Sequence, residues 1–143
     1  MIGCPGCVST GSPELAKLRI KEARRLLEAG CPDGAYYLAG YAVECALKAC
    51  SAKKTERHEF PDRDRAQKSW THNLVELTLT AELDELLRAE EKQQTELTAN
   101  WRIVTQWSEK SRYQRKSLAE AKALVAAVNG RKHGVLAWLK RNW

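Results

Sequence analysis

The stretch Ala35–Cys50, AYYLAGYAVECALKAC, decides the fold. Read as a helix, it sorts into three stripes at steps of three and four residues. Ala35, Ala39, Ala42, Ala46 and Ala49 form a small-residue stripe, against which another helix can pack closely. Tyr36, Gly40, Val43, Leu47 and Cys50 form a second apolar stripe. Tyr37, Tyr41, Glu44 and Lys48 form the stripe with polar tips, and Glu44 and Lys48 stand in the favourable i, i+4 order. A helix that is apolar round most of its circumference must be covered by others. This segment is therefore expected at the centre of a helical assembly.

The segment before it reads as its hairpin partner. Ser12-Pro13-Glu14 is a helix start, with Ser as N-cap, Pro at the first helical position and an acid beside the dipole. The helix is expected to run to about Ala29, with Ala16, Ile20, Ala23 and Leu27 inside, widened by Leu15 and Leu26. Lys17, Lys21 and Arg24 line its outside. Gly30 suits the C-terminal cap, Pro32 prevents continuation, and Asp33 is placed to cap the central helix. Residues 1–11 (MIGCPGCVSTG) read as a flexible tail. Its Cys4-x-x-Cys7 could supply half a zinc site or a redox pair. No second pair stands at suitable spacing, so two free thiols are the preferred reading and no metal is expected.

Downstream, 51–70 shows no apolar periodicity and reads as a long charged loop. Thr71 resembles an N-cap for a helix with Leu74 and Leu77 inside. Thr80 is a possible restart, with Leu83, Leu86 and Leu87 continuing the apolar face. Leu97, Trp101, Val104 and Trp107 line a further amphipathic helix ending near 111–113. Ser117-Leu118-Ala119-Glu120 is a capping box opening the last helix. Its apolar phase carries from Ala121, Leu124, Val125 and Val128 across Asn129-Gly130 to Val135, Trp138 and Leu139. One helix kinked at the glycine is preferred over a break. No period-two pattern appears. The expected fold is all-α, an up-and-down bundle of about five helices over residues 12–143.

The totals agree with one domain: 143 residues, 43% hydrophobic and 29% charged. No apolar run approaches the ~20 residues of a membrane span, and the N-terminus lacks the basic start and apolar core of a signal peptide. Five cysteines suggest no disulfide framework, so a reducing cytoplasm fits best. The net charge of +6 biases the chain towards anionic partners such as RNA, nucleotides or an acidic protein. No phosphate-binding glycine loop, Ser/His/Asp arrangement or complete metal motif is visible, and no cofactor is implied.

Three places resemble the HEPN domain family. The first is ARRLLEAGCPDGAYYLAGYAVECALKA (23–49), close to the family's helix–turn–A-x-x-L-A-x-Y-A-x-E-x-x-L-K-A pattern. The second is His72-Asn73-Leu74 with Leu77, similar to H-[DN]-L-x-x-L. The third is Trp107 followed by Ser111-Arg112-Tyr113, which looks like a W-x(n)-RY ending. The resemblance implies a helical bundle that dimerises and associates with RNA or nucleotides. It also implies membership of a toxin–antitoxin or minimal nucleotidyltransferase pair. Nuclease members carry R-x(4–6)-H, where Arg would steady phosphate charge and His would move protons. Here no histidine follows Arg112 until His133, and the formal match is Arg65-x6-His72.

The candidate catalytic pair is thus Arg65 and His72. The candidate nucleotide- or RNA-binding set is Glu44, Lys48, Arg112 and Tyr113, with Arg112 and Lys48 holding phosphate and Tyr113 stacking on a base. Each also has an ordinary reading. Glu44 and Lys48 make a common helix pair, His72 can satisfy a loop carbonyl, Arg112 can pair with Glu109 or Glu44, and Tyr113 can anchor a helix end. Three functions follow: an RNA- or nucleotide-associated module, a metal-independent endoribonuclease, or a non-catalytic helical interaction domain.

Overall fold

The computed structural model of the chain describes residues 11–57 and 70–143. Among them every regular element is helical: α1 (Pro13–Glu28), α2 (Pro32–Arg57), α3 (Leu74–Thr80), α4 (Asp84–Lys92), α5 (Glu96–Val104), a 3-10 turn (Glu109–Tyr113), α6 (Leu118–Asn129) and α7 (Val135–Lys140). None is long and apolar enough to cross a membrane. The expected tail with Cys4 and Cys7, and the candidate Arg65, lie outside the described residues.

The central helix is as its three stripes require. All five alanines of the small-residue stripe are buried, as are Tyr36, Val43, Leu47 and Cys50. α1 and α2 form the expected hairpin, and α2 also contacts α3, α6, α7 and the 3-10 turn. Ser12 caps α1 by accepting the Leu15 N–H at 3.2 Å. Gly30 takes a left-handed φ of 78°, and Gly30 and Cys31 donate back to the Leu27 and Leu26 carbonyls. That pair of bonds closes a Schellman motif, and the absent Cβ makes the conformation cheap.

Several boundaries differ from the sequence expectation. First, α2 overruns the expected loop by two turns, through Arg57. AKKTER is made of good helix formers apart from Thr55 and needs no apolar face to continue an existing helix. Second, Asn73 rather than Thr71 caps α3, its Oδ1 accepting the Val75 and Glu76 N–H groups at 3.0 and 3.1 Å. Thr71 stands outside and bonds the Glu76 carboxylate. Third, two expected helices are divided. The α3–α4 break is a Schellman turn at Glu82, φ 60°, with Leu83 N–H returning to the Thr78 carbonyl; the second is Trp107 and Ser108 leading into the 3-10 turn. Fourth, the last helix breaks after Asn129 and restarts at Val135 instead of kinking. Asp33 also does not cap α2; its Oδ1 accepts the Lys116 N–H at 2.6 Å, tying the start of α2 to the segment before α6.

The buried cysteines behave as small hydrophobes. Burial, reinforced by the Glu44 charge, pushes the Cys45 thiol up to about 11, and burial pushes Cys50 to about 12. Cys31 is exposed. At pH 8, iodoacetamide read by mass spectrometry is therefore expected to label Cys31 quickly, and Cys45 and Cys50 only after denaturant is added. Both folded values exceed the 9.0 of an unperturbed thiol, so the folded state holds these protons longer. Their contribution to stability is complete below pH 9.0 and is lost as pH rises towards 11. A denaturation midpoint that stays flat over that window, or rapid labelling of Cys45 in the folded chain, would contradict the burial.

Candidate functional site

The polar stripe of α2 meets the start of α3 at one buried carboxylate. Glu44 is 1% exposed. Its Oε1 accepts Lys48 Nζ at 2.8 Å and lies 2.8 Å from His72 Nδ1. Lys48 is drawn there by the i, i+4 spacing. His72 is carried there by the turn before α3, whose direction is set by the Asn73 cap and by Leu74 and Leu77 entering the core. The His72 side chain remains 51% exposed. A neutral ring that gives its Nδ1 proton to Glu44 keeps an unprotonated Nε2. That tautomer is a proton acceptor backed by a carboxylate, an arrangement suited to acid–base work.

His72 borders a groove of about 350 Å³ shared with Thr71, Glu76, Thr105, Ser108 and Glu109. Trp107 forms part of its wall, and the same ring lies directly over Gly40 of α2. Tyr37 stacks on Trp107 at 6.1 Å and on Tyr41 at 6.0 Å, closing an aromatic layer beside the carboxylate. Burial raises the Tyr41 hydroxyl above its ordinary 10.0, with the nearby thiol of Cys45 and the Glu44 charge acting the same way. Three buried side-chain polar atoms of α2 and of the segment after α5 have no hydrogen-bond partner among the described residues: Glu44 Oε2, Trp107 Nε1 and Ser111 Oγ. Unpaired buried groups of this kind carry a real desolvation cost.

The structure thus brings Glu44, Lys48 and His72 together. No hydrogen bond or ion pair joins Arg112 or Tyr113 to them among the described residues: both are exposed, and the Arg112 guanidinium lies 4.9 Å over the Tyr113 ring. The ordinary pairings considered for Arg112, with Glu109 or Glu44, are not formed either. Lys48 is committed to Glu44 and only 13% exposed at its side chain. The groove's own charges are Glu76 and Glu109, which repel phosphate, so the described residues do not assemble the expected anion pocket there. Sequence reasoning missed Gly40 and Trp107 as members of this region. Gly40 was the available signal, as the one residue of its stripe without a side chain. Among the described residues no group of three or more His, Cys, Asp or Glu is placed to hold a metal ion. No family model, curated protein or solved structure matches the chain.

Proposed function

We propose that this chain is a HEPN-like helical module that associates with RNA or nucleotides, acting as one member of a toxin–antitoxin or minimal nucleotidyltransferase pair and forming a homodimer. One observation carries the reading. The motifs that resemble the family lie far apart in sequence, yet residues from all of them gather at one place: Glu44 from the first bonds His72 from the second, and His72 lines one groove with Trp107 from the third. A chance likeness would not be expected to converge in this way. In the groove, His72 Nε2 and the Glu76 and Glu109 carboxylates favour hydroxyl and amino groups over phosphate. A ribose or a nucleobase edge suits such a lining.

Titration with adenosine and guanosine monophosphates, followed by calorimetry, tests the reading. Weak binding by the parent is expected, reduced about tenfold in His72→Ala by loss of a hydrogen bond to a charged or polar partner. Glu44→Gln is expected to act in the same direction, through loss of the carboxylate that orients the ring. No binding of either nucleotide, combined with a monomer in light scattering, would defeat the proposal.

The Glu44–His72 bond favours a second reading, a metal-independent endoribonuclease. There His72 Nε2 would take the proton of a ribose 2′-hydroxyl while Arg65 steadied the phosphate. Cleavage of cellular RNA in EDTA by the parent, and none by His72→Ala, is its signature.

A further inference from the structure

A segregated group of positive charges lies away from the Glu44 cluster. Lys17, Lys21, Arg24, Arg25 and Lys140 line a groove of about 360 Å³ between α1 and α7, with Glu28 as its acid. Arg24 and Lys140 also line an adjoining groove of about 420 Å³, which adds Arg131 from the turn after α6. All of these side chains are exposed. Arg25 is paired with Glu28 at 3.2 Å, and Lys17 lies 5.7 Å over the Trp143 ring. Lys21, Arg24, Arg131 and Lys140 form no ion pair among the described residues. On α4 the signs are mixed, with Asp84, Glu85, Glu90 and Glu91 beside Arg88 and Lys92, and in the basic run after α5 Arg115 pairs with Asp33 while Arg112 and Lys116 lie over the Tyr113 and Tyr36 rings. Self-repulsion among so many cations on one trough is unfavourable unless a polyanion relieves it.

We propose that this α1–α7 face is a docking surface for the phosphodiester backbone of a nucleic acid. Lys17, Lys21 and Arg25 succeed one another at about 6 Å along α1, so one strand lying in the trough presents phosphates to several of them in turn. The apolar floor, Ile20, Val128 and Leu136, is buried beneath the cations. Among the residues lining the two grooves no aromatic or aliphatic side chain is exposed, and the apolar groups near their edge, Leu18 on α1 and Trp143 under Lys17, stand singly rather than as the clustered anchor a protein partner's interface core requires. The face also lacks an exposed apolar strip for lipid, because the apolar side of α1 is committed to the core. The surface stands on charge and shape and does not depend on the reading of the Glu44 cluster.

Fluorescence anisotropy of the full chain with labelled single-stranded RNA, single-stranded DNA and duplex DNA tests the proposal over a salt series. Two variants carry equal charge changes: Lys21→Glu/Arg24→Glu/Lys140→Glu in the trough, and Arg102→Glu/Lys110→Glu/Lys122→Glu at exposed sites outside it. The parent is expected to bind at least one nucleic acid with a salt slope of about −2 to −3, corresponding to three or four phosphates. The trough variant is expected to lose about 100-fold and most of that slope, against about threefold for the control. Which of the three probes binds tightest identifies the nucleic acid. Equal losses in both variants would overturn the proposal, as would no binding by the parent. Tighter binding to phosphatidylserine vesicles than to every nucleic acid would overturn it in favour of a membrane surface. In each case mononucleotide binding and its sensitivity to His72→Ala report separately on the groove beside Glu44.

Discussion

Gly40→Ala lowers the thermal midpoint by roughly 7 °C in the expected outcome, an unusual result for a glycine in the middle of a helix. On propensity alone the substitution gains about 1 kcal/mol, since alanine is the better helix former. The geometry opposes it. A Cβ at Gly40 would stand 2.2–2.3 Å from Cγ, Cδ1 and Cδ2 of Trp107. The ring cannot swing aside freely, because Trp107 is 4% exposed and stacked on Tyr37. Overpacking of this kind costs about 3 kcal/mol or more and outweighs the propensity gain. The same displacement would disturb the wall of the groove beside His72, so nucleotide binding should weaken together with stability. Combining Gly40→Ala with Trp107→Leu is the control. If the clash is the cause, the double variant is more stable than the sum of the two single losses. An unchanged or raised midpoint in Gly40→Ala would show that Trp107 does not lie on α2.

What was legible in the chain follows from what each residue can signal alone. The central helix was legible because its burial is written in composition: a stripe of alanines with tyrosines beside it has few other uses. The end of α1 was legible because its left-handed residue is Gly30. The comparable turns at Glu82 and Gln94 were not, since a left-handed Glu or Gln (φ 60° and 48°) leaves no mark in the sequence. Tertiary packing of Leu83 and Leu97 on either side outweighs the local strain there. Within the candidate site, the Glu44–Lys48 pair was legible from helical spacing. The bond from Glu44 to His72 was not, because it spans 28 residues and depends on how the segment before α3 returns to α2. Arg112 and Tyr113 enter the candidate set through the W-x(n)-RY resemblance and the phosphate- and base-binding chemistry of their side chains, neither of which carries information on where they face. The 3-10 turn buries Ser111 and leaves its next two residues facing outward. For the same reason, Lys17, Lys21 and Arg24 could be read as the outside of α1 while the trough they share with Lys140 could not. Its second wall exists only because the last helix breaks.

That break makes Gly134, rather than the more conspicuous Gly130, the sensitive position. Gly134 has φ −66° and ψ 146°, angles open to any residue, so backbone freedom is not what it provides. It provides space. A Cβ at Gly134 would lie 2.3 Å from the Gly130 carbonyl oxygen, 2.5 Å from its nitrogen and 2.9 Å from its Cα. All three are backbone atoms held by the Gly134 N–H bond to the Gly130 carbonyl at 3.1 Å, and none can rotate away. Gly134→Ala must therefore open the turn between α6 and α7. We expect it to cost about 3 kcal/mol, against under 1 kcal/mol for Gly130→Ala, whose Cβ would meet its nearest neighbours at 3.2–3.4 Å. The consequence reaches the surface, because α7 carries Lys140 and the turn carries Arg131. If α7 is displaced, both cations move relative to Arg24 on α1, and the trough loses its second wall while every charge remains on the chain. Gly134→Ala should therefore weaken nucleic-acid binding by about tenfold at a temperature where circular dichroism shows the chain still folded, with net charge unchanged. Full retention of binding in a folded Gly134→Ala chain would mean that charge density alone, without the α1–α7 geometry, holds the backbone. A midpoint equal to that of Gly130→Ala would mean that the last two helices are not joined through this close approach.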